Sequence, residues 1–110
     1  MNKKTEYTEC LTLVDYLETL KTMGKVKLYT HIPMETFTKS WAVKAKNKRM
    51  GVRPGFPDYV IVTNKATIFI EMKSMTGTLT EDQTVWLGEL NNAFVCQGFE
   101  EAKLVIDKFI

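Results

Sequence analysis

Two short apolar segments on either side of a polar turn constrain the fold of this chain more than any other feature. Residues 59–62 and 67–70 are rich in β-branched and aromatic side chains, which predicts a β-hairpin. With the turn centred on Asn64-Lys65, the pairing places Asp58 directly across from Glu71. A three-residue loop would instead shift the register by one and turn one carboxylate away.

The predicted hairpin brings two carboxylates together at its open end. The alternation of the second strand places Glu71 and Lys73 on one face and Ile70 and Met72 on the other. Like charges in opposed positions repel each other. A divalent cation would offset this repulsion, because Mg²⁺ typically takes one or two carboxylates and keeps waters for substrate phosphates. The alternative is a set of solvated surface pairs, each contributing under about 1 kcal/mol.

A basic segment precedes the hairpin. The net charge of +2 conceals an excess of six positive charges between residues 36 and 57, where no acidic residue occurs, while the remainder holds nine basic and thirteen acidic residues. The basic residues are Lys39, Lys44, Lys46, Lys48, Arg49 and Arg53. A protein that binds a polyanion beside an acidic site needs such a segment to attract the phosphates. The five basic residues from Lys44 onward are therefore predicted to contact nucleic acid. An exposed, solvated loop is the alternative interpretation.

These motifs together resemble a known family. They are Gly55-Phe56-Pro57-Asp58, Glu71-Met72-Lys73, Gly77-Thr78-Leu79-Thr80-Glu81-Asp82-Gln83 with Trp86, and residues 95–102. The combination resembles the VRR-NUC branch of the PD-(D/E)xK nuclease superfamily over most of the chain. The resemblance implies a restriction-endonuclease-like α/β core, with a mixed central sheet flanked by helices, and metal-dependent hydrolysis of nucleic acid. Small single-domain members, often found in phages, are similar in activity to Holliday junction resolvases.

The resemblance also implies roles for the residues of the hairpin. Asp58, Glu71 and the carbonyl of Met72 would hold one or two Mg²⁺ ions, for which Mn²⁺ could substitute. Lys73 would orient or deprotonate the attacking water and offset charge on the reacting phosphate.

Two further residues are candidates for the same site. In this family an N-terminal helix is thought to contribute another acid, and Glu6 fits better than Glu9 because it falls near the middle of the predicted apolar stripe. Alternatively, Glu6 is a helix-start acid favoured by the helix dipole. Gln83 would face the site in the family interpretation, whereas Thr80 and Gln83 also match a capping box.

The remaining pattern predicts the other elements. We expect a helix over 5–23 ended by Gly24 and a strand over 25–31. One short helix is expected within an otherwise irregular segment 32–56. A helix from Thr80, packed through Val85, Trp86 and Leu90, is followed by a strand over 93–97 and a final helix over 100–110.

Composition limits the remaining possibilities. A length of 110 residues with 45% hydrophobic content predicts one domain over residues 1–110. The absence of a long apolar run or signal-peptide pattern predicts a soluble, intracellular protein, in the cytoplasm of a bacterial or phage-infected cell. Cys10 and Cys96 lack metal-binding spacing and are expected to be reduced, and His31 is the only histidine, which excludes a His-rich metal site.

Nucleotide-binding signatures are absent, so no nucleotide cofactor is expected. The predicted function is a Mg²⁺-dependent DNA endonuclease that acts on branched DNA such as Holliday junctions. It would act as a homodimer, because a symmetric junction needs two coordinated cuts. Two alternatives stay open: a non-catalytic nucleic-acid-binding module, and a nuclease for another substrate such as a flap, a nicked duplex or RNA.

Overall fold

A four-stranded mixed sheet organises the chain. The computed structural model describes residues 5–33 and 40–110. The elements are α1 (Glu6–Thr22), β1 (Val26–His31), α2 (Trp41–Arg49), β2 (Tyr59–Thr63), β3 (Thr67–Lys73), α3 (Glu81–Glu89), β4 (Ala93–Gln97) and α4 (Phe99–Asp107). The strand order is β1-β2-β3-β4, antiparallel except for the parallel pair β3–β4. This architecture confirms the predicted α/β class with a mixed sheet flanked by helices.

Helix α1 covers one face of the sheet. It begins where the Thr5 side chain accepts a hydrogen bond from the backbone N of Thr8, and it ends before Gly24, whose φ is +76°. Its predicted apolar stripe is confirmed, since Leu13, Leu17 and Leu20 are buried. Burial of each such leucine stabilises the fold by about 1.5–3 kcal/mol. No helix of the described residues is long and apolar enough to cross a membrane.

The hairpin β2–β3 adopts the predicted register. Tyr59 pairs with Ile70, and the pairing continues without a shift towards the turn. The turn is closed by Thr63, whose backbone N donates to the carbonyl of Ala66 at 2.9 Å. The hydroxyl of Thr63 also accepts from the backbone N of Lys65 and of Ala66, at 3.1 and 3.0 Å. These bonds fix a two-residue loop, so the next position beyond Tyr59 and Ile70 is occupied by Asp58 and Glu71.

The segment between β1 and β2 contains one short helix, as predicted. Helix α2 has no buried residue and, within the described part of the chain, packs against no other helix or strand. Both ends of the segment lie at Asp58: the backbone N of Ile32, just after β1, donates to the Asp58 carbonyl at 2.6 Å, and Pro57 leads directly into β2. The predicted basic residue Lys39 lies outside the described residues.

Helix α3 contacts residues 54–56, the part of this segment that leads back to β2. The indole Nε1 of Trp86 donates to the carbonyl of Pro54 at 2.9 Å, and the Phe56 ring packs edge-on against Trp86 with centroids 5.1 Å apart. A side chain at Gly55 would overlap the backbone of Asp82, with a carbon only 2.6 Å from the new Cβ. Pro54, Gly55 and Phe56 therefore pack closely against α3.

The packing prediction for α3 was partly wrong. Trp86 and Leu90 are half-buried, whereas Val85 is exposed. Trp86 contacts Pro54 and Phe56 in the loop before β2, and Val85 lies outside this contact.

Glu9 joins α1 to the start of α4. Helix α4 begins after Gly98, which has φ +100° and offers no side chain to cap the helix. The Glu9 carboxylate accepts a hydrogen bond from the backbone N of Phe99 at 3.2 Å. A Cβ at Gly98 would lie 2.8 Å from Glu9 Oε1, so glycine is required for this approach. Glu9 thus acts as an N-cap supplied from another helix.

We predict that Glu9→Ala lowers the free energy of unfolding by about 1 kcal/mol, the usual cost of losing an N-cap. Glu9→Gln should lose less, because it keeps a side-chain oxygen. Glu6→Ala is the matched control, since both acids lie in the first turn of α1 and share its dipole. Urea denaturation measures all three, and equal losses for Glu9→Ala and Glu6→Ala would contradict the capping role.

Candidate metal centre and nucleic-acid interface

Asp58 continues the β2–β3 pairing with its side chain. The ladder ends at Tyr59 and Ile70, and beyond it Asp58 Oδ2 accepts a hydrogen bond from the backbone N of Met72 at 2.9 Å. This bond takes the place of the next inter-strand contact. It holds the Asp58 carboxylate against the strand segment that carries Glu71.

Glu71 is a buried carboxylate without sufficient partners. Its residue is only 3% exposed, and among the described residues its Oε1 has no hydrogen-bond partner. Its Oε2 lies 3.9 Å from the ammonium Nζ of Lys73. Burial raises the pKa of Glu71 to about 8, the adjacent Asp58 carboxylate adds to the rise, and Lys73 opposes it. A buried ionised carboxylate is costly unless it is paired or coordinates a metal. An orphaned carboxylate oxygen beside a second carboxylate therefore fits a hard divalent cation.

Glu6 lies near this pair but does not complete a cluster. Within residues 5–33 and 40–110, no group of three His, Cys, Asp or Glu side chains is placed to hold a metal ion. Glu6 is exposed, contrary to the expectation that it lies in the middle of the buried stripe, because the first turn of α1 extends beyond the core that begins at Leu13. Glu6 and Asp58 line the same cleft, and the Glu6 charge adds slightly to the raised pKa of Glu71.

Glu9 is committed elsewhere, since its carboxylate caps α4. Of the two N-terminal acids, only Glu6 shares a surface with Asp58.

Gln83 forms the capping box of α3. Its Oε1 accepts from the backbone N of Thr80 at 2.9 Å, while its own backbone N donates to the Thr80 hydroxyl at 3.2 Å. The capping interpretation is therefore confirmed. A role of Gln83 at the carboxylate site stays a prediction. Only its side-chain Nε2 group could serve that role, because Oε1 already accepts the hydrogen bond from Thr80.

The predicted nucleic-acid contacts are gathered on and just after α2. Lys44, Lys46, Lys48 and Arg49 are all exposed on this helix. The guanidinium of Arg53 donates to the carbonyl of Lys48 at 3.2 Å and so binds the last turn of the helix. Helix α2 thus carries four exposed cations and no acidic residue in its first turn, which makes it a positively charged surface.

Sequence reasoning missed a packed group beside Asp58. The His31 ring stacks on Tyr59 with centroids 4.8 Å apart and an interplanar angle of 20°. Cys10 and Tyr59 line the same cleft as Asp58, and burial raises the pKa of both groups. No local pattern could reveal this group, because it depends on the pairing of β1 with β2, and that register is interrupted by a bulge near Val26.

Comparisons with known proteins agree with this geometry. The sequence profile of the VRR-NUC domain matches residues 2–102. A solved structure described as a VRR_NUC domain protein is similar to this one, with a TM-score of 0.76 and 25% sequence identity over 99% of this chain and 90% of that chain. None of the curated proteins compared with the chain matches it. The fold is that of a VRR-NUC domain, with the mixed sheet and flanking helices of a restriction-endonuclease-like core. This chain therefore belongs to the VRR-NUC family of nuclease domains.

Proposed function

We propose that this protein is a metal-dependent, structure-selective DNA endonuclease that hydrolyses phosphodiester bonds in branched DNA such as Holliday junctions. The observation that carries the proposal is the buried Glu71 carboxylate, with its unpartnered oxygen, held beside Asp58 at the end of the hairpin. A structural salt bridge does not account for this arrangement, because the Lys73 ammonium lies 3.9 Å from Oε2, and Oε1 has no hydrogen-bond partner among the described residues.

The hairpin residues would have different roles at the site. Asp58, Glu71 and the Met72 carbonyl would hold Mg²⁺ or Mn²⁺, with Glu6 adding negative charge from across the cleft. When bound, such an ion neutralises the carboxylates, stabilises charge on the phosphodiester oxygens and lowers the pKa of a bound water. Lys73 would place its ammonium where it orients the attacking water and offsets developing negative charge.

The basic helix would position the DNA. Two carboxylates repel phosphates, so attraction must come from elsewhere on the surface. Lys44, Lys46, Lys48 and Arg49 on α2, together with Arg53, would contact the phosphate backbone, and both ends of the α2 segment are tethered at Asp58. The backbone would thereby be guided from α2 towards the carboxylates.

Symmetric junctions impose a further condition. The described residues of each chain hold one such carboxylate pair, whereas resolution of a four-way junction takes two cuts, so we propose a two-fold homodimer as the active form. The setting would be the cytoplasm of a bacterial or phage-infected cell.

A panel of labelled substrates tests the proposal. Junction, flap, nicked, single-stranded and duplex DNA, and RNA, are incubated with Mg²⁺, Mn²⁺, Ca²⁺ or EDTA. We expect cleavage of junctions with Mg²⁺ or Mn²⁺ and binding with little cutting in Ca²⁺, because the larger ion tolerates looser geometry. Paired incisions within one binding event would support the dimer. Full activity in EDTA would overturn the metal mechanism, and tight binding without cleavage in any condition would favour a non-catalytic module.

We predict that Asp58→Asn lowers the rate of cleavage by orders of magnitude while preserving the fold. Asparagine keeps an oxygen that accepts from Met72 but removes one of the two facing charges, so metal affinity should fall. Without metal, the free energy of unfolding should stay equal or rise by a few tenths to about 1 kcal/mol. The larger gain is expected above about pH 8, where Glu71 is ionised and its repulsion by Asp58 is removed. Melting, junction affinity and cleavage are measured on one preparation.

Asp15→Asn is the matched control for this variant, because Asp15 makes the same charge change at an exposed position on α1. It should leave cleavage unchanged. A lower melting temperature for Asp58→Asn with intact catalysis would instead assign Asp58 a purely structural role.

For the basic helix, we predict that Lys46→Ala/Lys48→Ala/Arg49→Ala weakens DNA binding and flattens its salt dependence. The slope of log affinity against log salt should fall by roughly two to three, at slightly under one per lost phosphate contact. Cleavage at saturating substrate should change less, because these residues lie outside the carboxylate pair.

The control triple variant is Lys21→Ala/Lys27→Ala/Lys108→Ala, which removes the same charge from exposed positions near the other end of the sheet. Its salt slope should remain that of the unmodified protein. Equal slopes for both triple variants would show that only net charge matters and that α2 makes no specific phosphate contacts.

A further inference from the structure

A cleft of about 450 Å³ opens beside the carboxylate pair and is not explained by hydrolysis alone. It lies between the N-terminal half of α1 and the adjoining ends of β1 and β2, and Asp58 forms part of its wall. Its volume is within the range of about 300–1,000 Å³ that is usual for small-molecule sites. It is therefore large enough for one nucleobase.

We propose that this cleft receives an unpaired nucleobase next to the phosphate that is cut. The inference rests on the proposed nuclease function and specifies its substrate: DNA in which a nucleotide at the cleavage position is free to leave the base stack. Branch points and flaps offer such a nucleotide, whereas in continuous duplex the base must first be unstacked at a cost of a few kcal/mol.

The walls of the cleft suit a flat aromatic ligand. Leu11 and Val14 supply aliphatic surface from α1, and Tyr7 at its end is exposed. On the strand side, His31 is exposed although one face of its ring stacks on Tyr59. Bases that are recognised outside a duplex typically stack on aromatic side chains, including histidine. A base would extend the existing His31–Tyr59 stack.

The charges of the cleft select a base rather than a phosphate. The described residues that line it include the carboxylates Glu6 and Asp58 and no lysine or arginine. Phosphate would be repelled there, and the basic surface on α2 lies on a separate segment. Carboxylates accept hydrogen bonds from the exocyclic amino group of cytosine, so Glu6 is compatible with a base at the rim.

Asp58 belongs both to this cleft and to the carboxylate pair, and so links the cleft to the reaction. Asp58 lines the cleft and also accepts the hydrogen bond that fixes it beside Glu71. A nucleotide whose base enters the cleft therefore brings its own backbone to the carboxylate pair. This coupling would make cleavage depend on DNA structure.

His31 provides a direct test, because it is the only histidine and its imidazole protons are a unique NMR reporter. The full chain is titrated in Ca²⁺ with flap and junction DNA that carries a normal or an abasic nucleotide at each of the three positions around the branch. We expect an upfield shift of the His31 ring protons with normal DNA and loss of the shift when one position is abasic. A shift that is the same for normal and abasic DNA at all positions would overturn the proposal.

Kinetics provide a second readout on the same substrates. The abasic substitution should lower kcat/KM of the unmodified protein about tenfold, the order expected for loss of one base–aromatic stack. Leu11→Trp, which fills the cleft from a half-exposed position, and Tyr7→Ala, which trims its wall, should abolish this difference between normal and abasic DNA. Leu104→Trp, at an exposed position on α4 outside the cleft, is the control and should retain it.

The two readouts separate this inference from the proposed function. A base-dependent His31 shift without any cleavage would support the cleft as a base site and refute the nuclease activity. Cleavage that ignores the abasic substitution, or that stays sensitive to it in Leu11→Trp, would refute the base site and leave the nuclease activity standing.

Discussion

The register of the β2–β3 hairpin is the constraint on which the candidate site depends. Thr63 closes a two-residue turn with its backbone and its hydroxyl, and that closure fixes every pair up to Tyr59 and Ile70. Asp58 then accepts the hydrogen bond from the Met72 backbone that a further residue pair would otherwise satisfy. A slip of one residue would move Glu71 to the aliphatic face and bring Met72 to the polar one, since strand side chains alternate. The chemistry at one end of the hairpin is thus set by hydrogen bonds at the other.

The sheet combines a buried apolar face with a charged site at the ends of its two central strands, β2 and β3. Helices α1 and α4 pack against the sheet and against each other, and Ile68 and Ile70 belong to the buried core that they share. Such a core can support one strained feature, the buried Glu71 with an unpartnered oxygen. Local costs of this kind are typical of functional sites, where the surrounding structure holds a group that would not be stable alone.

Charge is distributed so that attraction and chemistry occupy different elements. The cations project on α2, which packs against no other helix or strand of the described residues, while the carboxylates sit at the rigid end of the hairpin. Two acids of α1 illustrate the same separation on a smaller scale. Glu9 caps α4 and is bound by the backbone of Phe99, whereas Glu6, one turn earlier, remains exposed beside Asp58. Their spacing along the helix, rather than their chemistry, decides which of them is structural.

The sequence by itself determined the order of the elements and the hairpin register that brings Asp58 beside Glu71, because strand alternation, turn residues and helix caps act over a few neighbouring positions. It also determined the basic character of α2 and the capping box at Thr80. Tertiary structure decided what depends on contacts between distant segments. It placed Glu9 rather than a local side chain at the start of α4, exposed Val85, and stacked His31 on Tyr59 beside Asp58. These outcomes follow from how α1, β1 and α3 meet the sheet, and no periodicity within a single element encodes that geometry.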